Sequence, residues 1–373
     1  MSGMDGQLRD LLDAAVGEPP HRVRVEAVRR RVVRRRVMEG IAGAAAVAVI
    51  AVAIPVVAGT LGYSPAAQRP VTHPARVPVA YVVNLGSGTV TPIATATNTA
   101  GKPIAIGLRP ETMAITPDGK TAYVTSNSST TSAGSGTVTP ISTATNTPGK
   151  PITVGNGPQA IAITPDGKTV YVANIVGAVT PIATATNTPG KPITVGAPAD
   201  AMAITPDGET LYVANWGSGT VTPIATATNT AGKPITVGNG PRAIAITPDG
   251  ETLYVANFGS GTVTPISTAT NTAGKPITVG QQPLVIAFTP DGKTAYVVNH
   301  GSGTVTPIAT ATNTAGKPIT VGQQPWPIAF TPDGKTAYVV NFGSGTVTPI
   351  STATNTPGKP ITVGAEPSMI AIG

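Results

Sequence analysis

The stretch "ITPDGETLYVANWGSGTVTPIATATNTAGKPITVG", residues 204–238, decides the fold because near-copies of it recur along the chain. Its part 217–238 is repeated without change at 301–322, an offset of 84 residues. The aspartates of successive TPDG motifs lie 48, 41, 42, 42 and 42 residues apart, and extra residues in "TSNSSTTSAGSG" account for the longest interval. A fixed period of this length is typical of repeat architectures.

Each unit contains four strand-like pieces, "PxAIAI", "TxYVxN", "GTVTPIxTATN" and "GKPITVG", separated by turn residues. Four short strands in such a unit match one blade of a β-propeller. The VTPI and YV motifs each occur seven times. The first unit begins with the second of its four strand pieces, "VAYVVN", and the last segment of the repeats, "PSMIAIG", is a first strand piece by itself. We therefore predict an all-β fold over residues 79–373: a seven-bladed β-propeller of four-stranded antiparallel blades, closed by N- and C-terminal strands that share a blade.

The motifs "TPDGKTAYVVN", "GSGTVTPI" and "TATNT" resemble those of the YVTN-repeat β-propellers, a family of surface-layer-like and lactonase-related seven-bladed proteins. The resemblance covers residues 79–373 and implies a propeller in an exported protein. One departure is the third strand, which commonly reads Val-Ile-Asp in that family and Pro-Ile-Ala or Pro-Ile-Ser here. Each of these prolines must lie at a bulge or where the sheet needs no N–H donor.

The first 78 residues have a different composition. Residues 41–61 form an uncharged apolar stretch, long enough for a transmembrane helix, and "RRRVVRRRVMEG" comes directly before it. The positive-inside rule then makes residues 1–40 a short basic cytoplasmic segment, residues 62–78 a Pro-rich linker, and the propeller extracytoplasmic at the cell membrane. The alternative is a cleaved signal peptide and a secreted protein.

The net charge of +7 is concentrated near the N-terminus. Residues 22–36 contain eight arginines and one acid, Glu26, whereas the thirteen basic and eleven acidic residues from position 79 onward leave only about +2. Nucleic-acid binding requires clustered phosphate contacts, so no nucleic-acid partner is expected. The absence of cysteine from the sequence excludes disulfides and thiolate metal sites, and we expect neither a metal nor a cofactor.

The recurring polar residues are predicted to be architectural. An Asp-Gly pair between two strand-like runs is a strong hairpin signal, and calcium loops need several oxygen ligands at alternating positions. We therefore interpret the TPDG aspartates as turn residues and predict no catalytic residue among them. The YV tyrosines are expected to pack between blades, with their hydroxyl groups near water or backbone. The TPDG aspartates are Asp118, Asp166, Asp207, Asp249, Asp291 and Asp333.

The repeats differ mainly in two of their four connections. Successive turns of an up-and-down blade lie on opposite faces, so TPDG and TNTxGK share one face, here called the turn face. The NxGSG and GxxPx connections share the other, the variable face, where the grouped aromatic residues indicate a binding site and drift of exposed loops is the alternative. The predicted binding residues are Glu111, Asp200, Arg242 and Trp326 at the mouth of the central channel, with Trp216, Phe258, His300 and Phe342 farther out.

These patterns predict a membrane-anchored extracytoplasmic module that binds or scaffolds a protein, peptide or glycan at the cell surface. A surface-layer-like structural protein is an alternative, since near-identical repeats suit self-association. A lactonase-like hydrolase is a further alternative, resting on the charged residues of the variable face. It is less favoured because the repeat region has one histidine, His300, and no recognisable nucleophile–base spacing.

Overall fold

The computed structural model describes residues 79–94, 97, 99–127, 135–367 and 370. Over these residues the secondary structure is all β, arranged as seven antiparallel sheets, numbered here as blades 1–7. None of the described residues belongs to a helix long and apolar enough to cross a membrane. The predicted span 41–61, the segment 1–40 and the linker 62–78 lie outside the described residues and stay predictions.

The strands of the first four blades follow chain order. Blade 1 consists of β1 (Val79–Asn84), β2 (Thr89–Ala94), β3 (Thr99–Ala100) and β4 (Ile104–Ala105). Blade 2 consists of β5 (Pro110–Ile115), β6 (Thr121–Asn127), β7 (Ser135–Ser142), β8 (Thr147–Pro148) and β9 (Ile152–Asn156). Blade 3 consists of β10 (Pro158–Ile163), β11 (Thr169–Asn174), β12 (Ala178–Ala183), β13 (Thr188–Pro189) and β14 (Ile193–Thr194). Blade 4 consists of β15 (Ala199–Ile204), β16 (Thr210–Asn215), β17 (Thr220–Ala225), β18 (Thr230–Ala231) and β19 (Ile235–Thr236).

The last three blades repeat the same order. Blade 5 consists of β20 (Pro241–Ile246), β21 (Thr252–Asn257), β22 (Thr262–Ser267), β23 (Thr272–Ala273) and β24 (Ile277–Thr278). Blade 6 consists of β25 (Pro283–Phe288), β26 (Thr294–Asn299), β27 (Thr304–Ala309), β28 (Thr314–Ala315) and β29 (Ile319–Thr320). Blade 7 consists of β30 (Pro325–Phe330), β31 (Thr336–Asn341), β32 (Thr346–Ser351), β33 (Thr356–Pro357) and β34 (Ile361–Thr362).

Blades 2–7 each begin with an inner strand, and the inner strands of successive blades contact one another. This arrangement is consistent with a seven-bladed β-propeller. Blade 1 begins instead with β1, which corresponds to the second strand of the other blades. The predicted partner of β1 is the C-terminal segment, most of which lies outside the described residues, so closure of the ring by shared strands stays a prediction.

The outer strand differs from the prediction of four strands per blade, because it is broken into two pieces. In blade 4, β18 pairs with Ile224 and Ala225, and β19 pairs with Thr220 and Val221. Pro223 lies opposite the break, where no N–H donor is needed, and its carbonyl accepts the Gly232 N–H at 2.8 Å. The predicted position of the third-strand prolines is thus confirmed, and their missing N–H accounts for the break.

The core of each blade is aliphatic, and in blades 1–6 one tyrosine joins the blade to the next. Tyr212 is fully buried, and its hydroxyl donates a hydrogen bond of 2.6 Å to Oδ1 of Asn271 in blade 5. The predicted packing of tyrosines between blades is confirmed, but the main acceptor is an asparagine side chain. Equivalent bonds of 2.5–2.8 Å join Tyr81 to Asn146, Tyr123 to Asn187, Tyr171 to Asn229, Tyr254 to Asn313 and Tyr296 to Asn355.

The acceptor asparagine serves its own turn as well. Asn271 has a φ of 53°, in the left-handed region that asparagine enters more readily than most other non-glycine residues. The same angle, 53–55°, recurs at its five counterparts. One residue therefore reverses the chain between the third and outer strands and receives the hydroxyl of the preceding blade.

We predict that Tyr212→Phe lowers the free energy of unfolding by about 1–2 kcal/mol, because the Asn271 amide oxygen loses its donor in a partly buried position. Urea unfolding of the full-length chain measures this effect. Asn271→Gly is the matched partner variant because glycine keeps the positive φ. The double variant should cost clearly less than the sum of the two single changes, and full additivity would contradict the proposed coupling.

Candidate functional site: the variable face

The turn face uses its carboxylates internally. Asp207 Oδ1 accepts hydrogen bonds from the Thr205 hydroxyl at 2.5 Å and the Glu209 backbone N–H at 2.9 Å, and these bonds, the threonine bond first, lower the pKa of Asp207. An open groove of about 430 Å³ between blades 4 and 5 is lined in part by Asp207, Asp249 and Glu251. Because both aspartates are bound within their own turns, the interpretation of TPDG as a turn is confirmed.

On the variable face, the NxGSG connections are hydrogen-bonded to the GxxPx connections. The Trp216 N–H donates to the Pro198 carbonyl at 2.9 Å, and the Phe258 N–H donates to the Gly240 carbonyl at 2.9 Å. In blade 6 the His300 N–H donates to the Gln282 carbonyl at 3.0 Å. The predicted grouping of these connections on one face is thereby confirmed.

The inner strand carries a β-bulge where it enters from this face. In blade 4 the pairing jumps from Ala199 to Ala201, so Asp200 has no partner across the ladder. In blade 5 it jumps from Pro241 to Ala243 and leaves out Arg242. Bulges commonly redirect a side chain near functional sites. The residues left out in the other blades are Gln159, Leu284, Glu111 with Thr112, and Trp326 with Pro327.

Asp200 and Arg242 form an ion pair between blades 4 and 5. Arg242 Nη1 lies 3.1 Å from Asp200 Oδ2, and the two side chains are 17% and 9% exposed. Burial raises the pKa of Asp200, and the charge of Arg242 opposes that rise. The structure thus brings these two predicted site residues together in an environment with little water.

Trp216 and Phe258 continue this cluster outward. The Arg242 guanidinium carbon lies 4.9 Å from the centre of the Trp216 ring, a cation–π distance, and the Trp216 and Phe258 rings are 5.5 Å apart at 51°. Gly240, at φ 61°, leaves room for the indole, since a Cβ there would lie 3.1 Å from it. Trp216 therefore packs on the next blade and positions Arg242, with part of its ring still exposed.

His300 and Trp326 are more deeply buried than a binding surface would require. They are 5% and 6% exposed, and His300 Nδ1 lies 3.2 Å from the Pro325 carbonyl oxygen of blade 7. Burial lowers the pKa of His300, and the Pro325 hydrogen bond opposes this shift. Phe342 is half-buried. His300 thus contributes to the contact between blades 6 and 7.

Glu111 belongs to a separate cluster in blade 2. Its Oε1 accepts a hydrogen bond from Asn127 Nδ2 at 2.9 Å and lies 3.7 Å from Arg109 Nη2. Burial raises the pKa of Glu111, while Arg109 and Asn127 act in the opposite direction. Its carboxylate therefore has partners within its own blade.

Sequence reasoning missed the column of residues that precedes the bulged segment. Arg109, Gln282, Gln324 and Glu366 have φ values of 48°, 53°, 49° and 53°, where glycine would be easier to accommodate. Blades 3 and 5 have Gly157 and Gly240 at this position, and blade 4 has Pro198. The wide variation of this column between repeats was the available signal.

In the described part of the chain, no three histidine, aspartate or glutamate side chains are grouped so that they could hold a metal ion. What the variable face does provide is a buried ion pair beside a half-exposed aromatic pair. Such a combination offers polar recognition and apolar contact at one place.

The comparisons with known proteins agree on the fold. The family model "Lactonase, 7-bladed beta-propeller" matches residues 175–274, which include Asp200, Trp216, Arg242 and Phe258. No curated protein sequence matches the chain.

Three solved structures are similar to this one over most of their length. Hydrazine synthase of Kuenenia stuttgartiensis is 24% identical with a TM-score of 0.54, and the match covers 69% of this chain and 87% of that one. A functionally unknown protein of Desulfotomaculum acetoxidans is 19% identical with a TM-score of 0.58, and the match covers 77% of this chain and 97% of that one. A candidate 6-phosphogluconolactonase of Bacteroides uniformis is 19% identical with a TM-score of 0.57, and the match covers 75% of this chain and 93% of that one. At these identities the likeness shows the fold alone.

We predict that Arg242→Gln lowers the free energy of unfolding by about 3 kcal/mol near neutral pH, because Asp200 is left buried without its counter-charge. Thermal and urea unfolding measure the loss. The double variant Asp200→Gln/Arg242→Gln is the matched control, since blade 3 already has Gln159 at this position. It should be more stable than Arg242→Gln alone, and a further loss of stability would contradict the role of the ion pair.

Proposed function

We propose that the chain is a membrane-anchored extracytoplasmic β-propeller that binds a protein, peptide or glycan through its variable face. The observation that carries this proposal is the ion pair of Asp200 and Arg242, presented at two β-bulges and supported by Trp216 and Phe258. Within this function, Arg242 and Asp200 recognise polar groups of the partner, and the exposed parts of the two rings supply apolar contact.

The contrast between the two faces supports this assignment. On the turn face the recurring aspartates are bound by their own turns, and the lysines beside four of them form exposed ion pairs of 3.3–3.7 Å. Exposed pairs of this kind contribute little free energy. On the variable face, corresponding positions differ in charge, size and aromatic character from blade to blade, as recognition of one particular partner requires.

A lactone hydrolase is the second candidate, and it rests on the family match over residues 175–274. That segment contains the ion pair, in which burial raises the pKa of Asp200 as a proton-transfer role would need. Arg242 would polarise the lactone carbonyl in such an enzyme. The partly buried Glu111 lies outside the matched segment and is a second carboxylate to test.

The location of the protein follows from residues 41–61, which we propose to be an uncleaved membrane anchor. The repeats of an anchored chain face outward, where the YVTN-like family places its propellers, and a surface-layer-like role would use the same location. A reporter joined after residue 373 should be extracytoplasmic and remain with the membranes. A soluble, shortened product would instead identify a cleaved signal.

The ring is proposed to close through the C-terminal segment "PSMIAIG", residues 367–373, paired on β1. Val82 is 43% exposed, whereas its counterparts Val172 and Val213 in blades 3 and 4 are fully buried. A strand paired with β1 would cover this valine and give blade 1 the inner strand that the other blades have. Its pairing would also remove an exposed sheet edge.

Deleting residues 367–373 is therefore expected to expose the edge of β1 and lower the melting temperature by several degrees, since burial of three apolar side chains is lost. Calorimetry of the full-length and truncated chains measures the difference. An equal-length deletion at the N-terminus, in residues 2–8, is the control. Equal melting temperatures for all three proteins would contradict closure by this segment.

The binding role predicts that Trp216→Ala with Phe258→Ala abolishes capture of a partner from a cell-surface extract by the immobilised full-length chain. A double variant of the turn face, Lys168→Ala with Lys335→Ala, should capture as well as the parent. The same proteins are assayed for hydrolysis of 6-phosphogluconolactone. Capture that survives the Trp216 and Phe258 changes would remove the binding proposal, and turnover lost in Asp200→Asn or Glu111→Gln would establish the enzyme.

A further inference from the structure

One position on the variable face has a titratable residue in a single blade. The residue that follows the YVxN motif is apolar in five blades: Leu85, Ile175, Trp216, Phe258 and Phe342. In blade 6 it is His300, which is as buried as a core residue. The other blades fill this position with an uncharged apolar side chain, so packing does not require a histidine there. The imidazole of His300 adds a group that can become charged.

The hydrogen bonding of His300 defines its neutral form. The Pro325 carbonyl oxygen, 3.2 Å from Nδ1, can only accept, so Nδ1 carries the proton. Nε2 is then an unprotonated acceptor, and it is buried without a hydrogen-bond partner among the residues that the structure describes. A second proton on the ring would thus place an N–H and a positive charge where no acceptor is available to them.

The elements around His300 supply no counter-charge. The connection 279–283, the strand β25, the loop 301–303 and the strand β30 contain no acidic or basic residue. The titratable groups on the neighbouring second strands are Tyr296 and Tyr338, and the hydroxyl of Tyr296 is bound to Asn355 next to the turn face. Burial is accordingly the cause of the lowered pKa of His300, and the hydrogen bond to the Pro325 carbonyl opposes it only in part.

We propose that His300 is a pH-sensitive contact between blades 6 and 7, which holds Pro325 and Trp326 in place when neutral and releases this edge of the variable face when protonated. The sign follows from the direction of the pKa shift. A lowered pKa in the folded protein means that the contact is fully stable above the unfolded value of about 6.5 and weakens as the pH falls below it. If the variable face is the binding surface proposed above, the partner is bound near neutral pH and released in acid.

Trp326 is an internal reporter for this device, and its use does not depend on any partner. The chain has two tryptophans, so in a Trp216→Phe background the fluorescence of the full-length protein comes from Trp326. Emission is recorded between about pH 8 and pH 5, above the range in which the turn aspartates titrate. We expect a reversible red shift with a midpoint below about 6.5, and an unchanged far-ultraviolet circular dichroism spectrum.

The matched variant is His300→Phe, which introduces the residue of blades 5 and 7 at this position, with His300→Leu, as in blade 1, should the larger ring not fit. The red shift should disappear in the variant, although His21 and His73 are retained. A shift that persists in both variants, or no shift in the His300 protein, would overturn the proposal. A loss of partner capture in acid that persists in His300→Phe would leave the binding function standing and assign its pH dependence elsewhere.

Discussion

The hydrogen bond from a buried tyrosine to an asparagine of the next blade is the interaction on which the succession of blades depends. Among the described residues, blades 1–6 each donate a tyrosine hydroxyl to the next blade, and blades 2–7 each accept one through an asparagine amide oxygen. The asparagine is also the left-handed residue of its turn. This double use holds the turn face constant from repeat to repeat and leaves the opposite face free to vary.

Much of the fold could be predicted from the sequence because the period encodes it. The repeat length, the seven YV motifs and the Asp-Gly turns predicted the blades and their number before any contact was known. The break in the outer strand could have been anticipated from Pro223, yet its form depends on how Gly232 folds back to the proline carbonyl. Local backbone geometry of this kind is not contained in a pattern of apolar and polar residues.

The sequence indicated which residues form the candidate site, but it did not indicate how their side chains contact one another. Asp200 and Arg242 occupy equivalent places in successive blades, so their proximity follows from the repeat, but the bulges that release them from the ladder do not. Likewise, Trp216 was expected to face a partner, whereas much of its ring packs beneath Arg242 and beside Gly240. Burial of His300 and Trp326 required the angle between blades 6 and 7, which no sequence spacing contains.

The break opposite each third-strand proline has a consequence for encounters between two molecules of this chain. A protein built from nearly identical units risks pairing a strand of one molecule with the rim of another, because every rim would present the same template. In every blade except blade 2, where β9 is longer, the rim is reduced to ladders of two residues on either side of a proline, and such ladders are too short to seed this pairing. The proline that interrupts the strand thus acts as a safeguard against aggregation, repeated once in every blade.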